Sequence, residues 1–281
     1  MAIKVVTDST SDLDSAIAED LGITIVPLNV HFGETVFKDG IDLNTDQFFD
    51  KLINGNVFPS TSQPSLGEFV DVYKEISQPG DVIISVHVSS KLSGTINSAQ
   101  QAANTLSGTV DVRIVDTQQV SMTVGLSAVG AAQAAQEGKS AEECIAIAES
   151  VAKRSNFFAL FDTLEYLEKG GRIGKARSLI GGLLKIRPIL RVEDGEIGQF
   201  SKARSRNMGM LKLGQAVREL GKLDDIAIVY STDGSDAEKL AATVEELLPD
   251  GKSPFLTRVG PVIGTHAGPN LVAIAAITSD S

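Results

Sequence analysis

Residues 81–116, DVIISVHVSSKLSGTINSAQQAANTLSGTVDVRIVD, decide the fold class. An apolar run at 81–88 leads into the Ser/Gly-rich SSKLSGT at 89–95, then a helical segment to about Leu106, then a second apolar run at 110–116. Two short strands joined through a helix make a crossover, because parallel neighbours cannot be joined by a tight turn. Toward the N-terminus, IKVVT (3–7) reads as another short strand, closed by the turn and capping residues of DSTSD. A helix over Leu13–Leu21 stops at Gly22, the stretch 23–32 is extended, and helices cover Asp46–Ile53 and Leu66–Ile76. Beyond residue 116, helices at about 123–137 and 140–154 are separated by Gly138. This alternation predicts an α/β fold with a mainly parallel sheet covered by helices on both faces.

The second half changes character. FFALF (157–161) is a strand, and EKGGRIGKARS (168–178) then breaks the pattern. RPILRVEDGEIGQFSKA (187–203) is two extended runs around Asp194-Gly195, a short hairpin signal. A helix at about 205–220, a strand at 225–230, a helix at 235–247 and strands at about 254–258 and 271–277 follow. We therefore expect two domains: an N-terminal α/β domain over 1–155 and a C-terminal mixed α/β domain over 156–281.

Composition narrows the function. The chain has 281 residues, 42% of them hydrophobic, and a formal charge of −11, which argues against a general nucleic-acid binder. The lone Cys144 lies in an amphipathic helical pattern and reads as a small buried hydrophobe. With three His besides, it provides no metal-ligand spacing. Neither a secretory leader nor a membrane span is visible, so a reducing, cytoplasmic setting is expected. Charge is uneven: between Lys169 and Lys212 eleven basic residues face three acidic ones, a net of +8. That predicts one positive face, able to steer an anionic partner or hold phosphate.

Three polar clusters fall where ligands gather in such folds. PSTSQPS (59–65) carries Ser60, Thr61, Ser62 and Ser65, more hydroxyls than one helix cap needs. SSKLSGT places Ser93, Gly94 and Thr95 between a strand and a helix, where free N–H groups favour an anion. GPVIGTHAGPN (260–270) sets His266 among glycines and prolines, a context that core packing explains poorly. His31 and His87 lie within apolar runs and read as structural. Asp8, Asp12 and Asp14 read as capping residues that also have cation-binding chemistry. Gly170-Gly171-Arg172-Ile173-Gly174-Lys175 mimics a phosphate-binding loop but is one residue short, and Ala176 replaces the required hydroxyl.

The order and spacing of these clusters resemble the DegV family, which includes the fatty-acid-binding subunits of bacterial fatty acid kinase. The resemblance is carried by TDSTSDL (7–13), TSQPS (61–65), SSKLSGT (89–95), EKGGRIG (168–174), KARSR (202–206) and GPVIGTHAGP (260–269). It implies two α/β domains with a long-chain fatty acid buried between or beneath them, and no other cofactor. By motif, Thr61 and Ser93 would hold the carboxylate and His266 would complete the network, with Ser62, Gly94 and Thr95 as further members. Arg172 and Arg204 would face a separate ATP-dependent kinase subunit that converts the bound acid to an acyl phosphate for phospholipid metabolism. The chain itself would not be an enzyme.

Residue chemistry is compatible with this. Hydroxyls and an imidazole grip a carboxylate while leaving it able to react, unlike a bidentate Arg. Small-residue stretches, 128–136 and 272–277, are open either to cavity formation or to tight helix–sheet packing. Two other functions compete. One is an anion- or phosphate-binding regulator using Arg172, Arg204 and Arg206. The other is a serine hydrolase with Ser93 as nucleophile and His266 as base, for which spacing indicates no orienting acid.

Overall fold

The computed structural model describes residues 2–179 and 186–279. The chain begins with β1 (Ile3–Asp8), a 3₁₀ turn at Ser9–Ser11, α1 (Ser15–Leu21) and β2 (Ile23–Val26). Next come β3 (Asn29–Phe32), β4 (Thr35–Lys38), α2 (Thr45–Asn54), β5 (Ser60–Ser62) and α3 (Leu66–Ile76). The crossover quoted above is β6 (Val82–His87), α4 (Thr95–Thr105) and β7 (Asp111–Asp116), followed by α5 (Met122–Gln136) and α6 (Ala141–Arg154). The later half holds β8 (Ser155–Leu160), α7 (Glu165–Lys169), β9 (Arg187–Glu193), β10 (Glu196–Ala203) and α8 (Arg206–Arg218). It ends with β11 (Leu223–Tyr230), α9 (Ser235–Val244), β12 (Phe255–Arg258), α10 (Pro261–Ala267) and β13 (Val272–Thr278).

The first sheet has the order β2-β1-β6-β7 and is parallel throughout. All six residues of β6 are buried, the signature of a strand covered on both faces. The second sheet, β10-β9-β8-β13-β11-β12, is mixed: β11 and β12 are parallel and its other pairs are antiparallel. Asp194 and Gly195 form its hairpin turn with φ of 52° and 75°, as a tight two-residue turn demands. A small antiparallel sheet, β4-β3-β5, completes the fold.

Helix starts follow local chemistry. Asn44, Ser65 and Ser140 each close a capping box with Gln47, Glu68 and Glu143. Helix α5 is the exception in kind, since it is buried nearly all round. Its small residues let both large sheets approach, and one apolar core runs from Val5 and Ile84 through Ala128 and Ala132 to Ala273 and Ile277. The small-residue stretches at 128–136 and 272–277 therefore serve close packing, and neither lines the pocket that gathers the polar clusters.

Three segments differ from expectation. GPVIGTHAGPN contains helix α10, with Pro261 in its first turn and Gly268 ending it at φ 73°. Ser60–Ser62, read as part of a helix lead-in, pairs with β3 as a strand, while Ser65 still caps α3. Half of the described basic residues of the expected positive face are taken up in local ion pairs. Lys169 meets Glu165, Lys175 meets Glu196, Arg191 meets Glu193, and Arg187 and Arg206 share Asp162. Lys185, also counted in that run, lies outside the described residues.

Candidate functional site

The polar clusters converge on one narrow pocket between the two large sheets. Pairing of β5 with β3 sets Thr61 opposite Val30 and turns its side chain toward α10. There Thr61 Oγ1 lies 2.9 Å from Nε2 of His266. The imidazole can sit so close to the α7 terminus because residue 170 is glycine: a Cβ there would collide with His266 Nδ1. Glycine also brings α10 onto α2, since a Cβ at Gly264 would lie 2.6 Å from Phe48 and 3.0 Å from Phe49.

His266 Nδ1 is buried without a hydrogen-bond partner among the described residues. Burial, helped by the nearby Arg172 charge, lowers its pKa from the usual 6.5 to about 4. The ring is therefore neutral at physiological pH, an acceptor or donor according to tautomer.

Ser93 lines the same pocket. Its Oγ accepts from the Thr95 N–H at 3.3 Å and lies 2.8 Å from the Thr95 hydroxyl, while Gly94 opens α4 with no side-chain cap. Gly94 packs on Gln63: a Cβ there would be 3.0 Å from its amide nitrogen. Ser62 lines the pocket too, oriented by a 2.9 Å bond to His31. Arg172 also lines it, but Nε and Nη1 donate to the carbonyls of Leu92 and Gly170. Arg204 is exposed in the turn between β10 and α8 and is not among the pocket residues.

The remaining wall is mostly apolar, built by Leu28, Val88 and Val120 from the first half and Phe157, Phe161 and Ile197 from the second. Sequence reasoning missed three polar members: Gln63, Thr10 and Ser121. Thr10 donates to Asp8, and Ser121 donates to Asp12 at 2.6 Å. Ser121 adopts φ 58°, ψ −143°, a strained conformation for a residue with a side chain. The DSTSD capping pattern concealed the role of Thr10, because capping and pocket-lining hydroxyls look alike in a linear sequence.

The acidic triplet divides in the same way. Asp8, fully buried, and Asp14 cap the 3₁₀ turn and α1, whereas the buried Asp12 carboxylate turns to Ser121 and Gly260. No metal-holding group of His, Cys, Asp or Glu occurs among the described residues. His87 belongs to a buried chain in which Tyr73, Ser85, His87 and Asp8 are linked by contacts of 2.8, 2.7 and 2.8 Å. All four side chains have no exposure, so this chain ties α3 to the first sheet rather than meeting substrate. The hydrolase arrangement is not formed either: Ser93 bonds to Thr95, His266 bonds to Thr61, and no carboxylate among the described residues orients the ring.

The model of a family described as "Uncharacterised protein, DegV family" matches residues 2–279. The chain belongs to the DegV family. A DegV domain-containing protein of Clostridium acetobutylicum is 36% identical over 285 residues, covering 99% of this chain and 98% of that one. Among solved structures, a fatty-acid-binding DegV family protein from Thermus thermophilus matches with a TM-score of 0.92 at 33% identity, covering 99% and 100% of the two chains. A stearic-acid-binding protein from Eubacterium ventriosum matches with a TM-score of 0.88 at 27% identity, covering 99% and 98%. The fold of this DegV protein is accordingly α/β, with a parallel N-terminal sheet and a mixed C-terminal one. No described helix is long and apolar enough to cross a membrane.

Proposed function

We propose that this DegV protein binds a long-chain fatty acid in the pocket, with the carboxylate held by Thr61, Ser93 and His266. One observation carries the reading: the Thr61–His266 bond sits in the wall of a narrow, largely apolar slot. Burial of a methylene is worth about 0.8 kcal/mol, so a sixteen-carbon tail supplies roughly 12 kcal/mol as an upper bound before ordering costs. Fatty acid binding by the Thermus and Eubacterium relatives supports the same ligand class. Ser62, Gly94 and Thr95 complete the surroundings of the head group.

The reading extends to partnership. The protein divides into domains 1–155 and 156–281 with the ligand between them, works in the cytoplasm, and lacks catalytic machinery of its own. It presents the carboxylate to a separate kinase subunit that makes the acyl phosphate, with Arg172 and Arg204 on the partner side. Neutral donors suit this role, since they hold the carboxylate without quenching its nucleophilic oxygen in a fixed ion pair. Mass spectrometry of protein extracted under denaturing conditions tests the ligand: a co-purified long-chain acid is expected. A lipid-free protein that also fails to take up palmitate would overturn the reading.

A further inference from the structure

Two carboxylates from the first half of the chain hold the start of α10. Asp12 Oδ1 accepts the Gly260 N–H at 2.8 Å, and its backbone carbonyl accepts the Thr257 hydroxyl at 2.9 Å. Asp39 Oδ2 accepts the Val262 N–H at 3.4 Å, and Gly260 permits its approach: a Cβ there would lie 3.0 Å from Asp39 Oδ1. Both side chains are buried, at 7% and 5% exposure. The helix they hold contributes Val262, Ile263, His266 and Ala267 to the pocket.

The charged groups around this seam do not neutralise it. Asp8, at the end of β1, faces both carboxylates and is itself bound to His87 of β6. From β12 and α2, Arg258 is committed to Asp46 at 2.7 Å and to the Ser231 carbonyl at 3.1 Å. Lys38, next to Asp39 in β4, pairs with Glu68 of α3 at 3.3 Å. His266 on α10 is held neutral by burial. The polar partners that remain are the Ser121 hydroxyl on Asp12 and the Ser9 hydroxyl on Asp39.

We propose that Asp12 and Asp39 form a proton-dependent latch that seats α10 against the first half of the chain, so that the pocket loosens and releases its ligand as pH rises. Neighbouring buried carboxylates without a cation cannot all ionise cheaply, so the seated state retains a proton. Unseating α10 hydrates them and lets that proton go. The seated state thus binds more protons than the open one, and by linkage a rise in pH favours opening. Burial, the largest cause, raises Asp39 to about 7, and Asp12 also stands well above the usual carboxylate range.

The release of ligand rests on the fatty acid reading, whereas the seam does not, and the test separates them. Amide hydrogen exchange of the unliganded chain, corrected for intrinsic rates, is followed from pH 6 to 8. Protection at 260–267 should fall at least about fivefold while that of β6 holds. In Asp39→Asn the protection should become independent of pH. Dissociation of labelled palmitate should accelerate by a similar factor in the unaltered protein and not in the variant. Constant protection in the unaltered protein, or a pH dependence as large as the parent's in both Asp39→Asn and Asp12→Asn, would overturn the latch. If either variant does not fold, the wild-type exchange profile decides alone. An exchange shift without palmitate binding at any pH keeps the latch and rejects the fatty acid.

Discussion

Thr61 Oγ1 and His266 Nε2 meet at 2.9 Å although 205 residues separate them in the chain. The contact joins a three-residue strand of the first half to a seven-residue helix of the second, so the polar part of the pocket exists only when both halves are folded together. A group of four consequences can be measured.

Thr61→Val and Ser93→Ala should each weaken palmitate binding while preserving the circular dichroism spectrum. A hydrogen bond to a charged group is worth about 1.5–3 kcal/mol, or roughly 10- to 150-fold in Kd. Displacement titration reads this directly, and unchanged affinity in the double variant would remove these hydroxyls from the site.

Gly170→Ala should damage the site without touching any polar group. The added methyl collides with His266 Nδ1, so the ring must leave Thr61 or α7 must shift. Overpacking of this kind costs about 1–3 kcal/mol, seen as a lower urea midpoint together with weaker palmitate binding. A variant equal to the parent in both would show that the ring has room to spare.

The His266 imidazole should titrate near pH 4 in the ligand-free protein. Burial is the larger cause and Arg172 the smaller, so Arg172→Gln should raise that pKa while leaving it below the ordinary 6.5. Two-dimensional NMR of the ring protons follows both. An imidazole titrating at 6.5 in the parent chain would mean that the pocket is open to water.

Stability should depend on pH through Asp39 and His266 with opposite signs. Asp39 keeps its proton to about pH 7 when folded, and loses it near 3.8 when unfolded. Its contribution is therefore full below about pH 4 and is lost as pH rises toward 7, by about 4 kcal/mol at most. His266, depressed to about 4, works the other way and gains stability between pH 4 and 6.5. The clean measurement is the difference between Asp39→Asn and the parent in urea denaturation. The variant should gain on the parent steadily from pH 4.5 to 7 and no further above it, whereas a constant difference would place Asp39 in contact with water.

Much of the fold was legible from residues close together in sequence. The capping box at Ser65 and Glu68, the Asp194-Gly195 turn and the apolar run of β6 each announce an element within a few positions. Helix α10 was not legible. Its glycines looked like loop, yet Gly264 makes room for Phe48 and Phe49, and that reason lies on another helix. Strand β5 was hidden likewise, because Ser60–Ser62 has little strand character until β3 offers it hydrogen bonds. The basic run from Lys169 suggested a charged face, but the acids that pair with Arg187 and Arg206 are 25 and 44 residues away.

The sequence by itself determined the alternation of strands and helices, the parallel first sheet, and the hydroxyl and imidazole groups available for a head group. Side-chain period, caps and turns are short-range physics, so they survive in a linear reading. Only the tertiary structure decided that Thr61, Ser93 and His266 share one pocket, that Arg204 stands outside it, and that Thr10 and Ser121 help to wall it. It also decided that Asp12 and Asp39 are buried at a seam, where they accept the Gly260 and Val262 N–H groups. Burial and charge compensation are properties of the assembled surroundings, and a carboxylate written in a sequence does not say what will surround it.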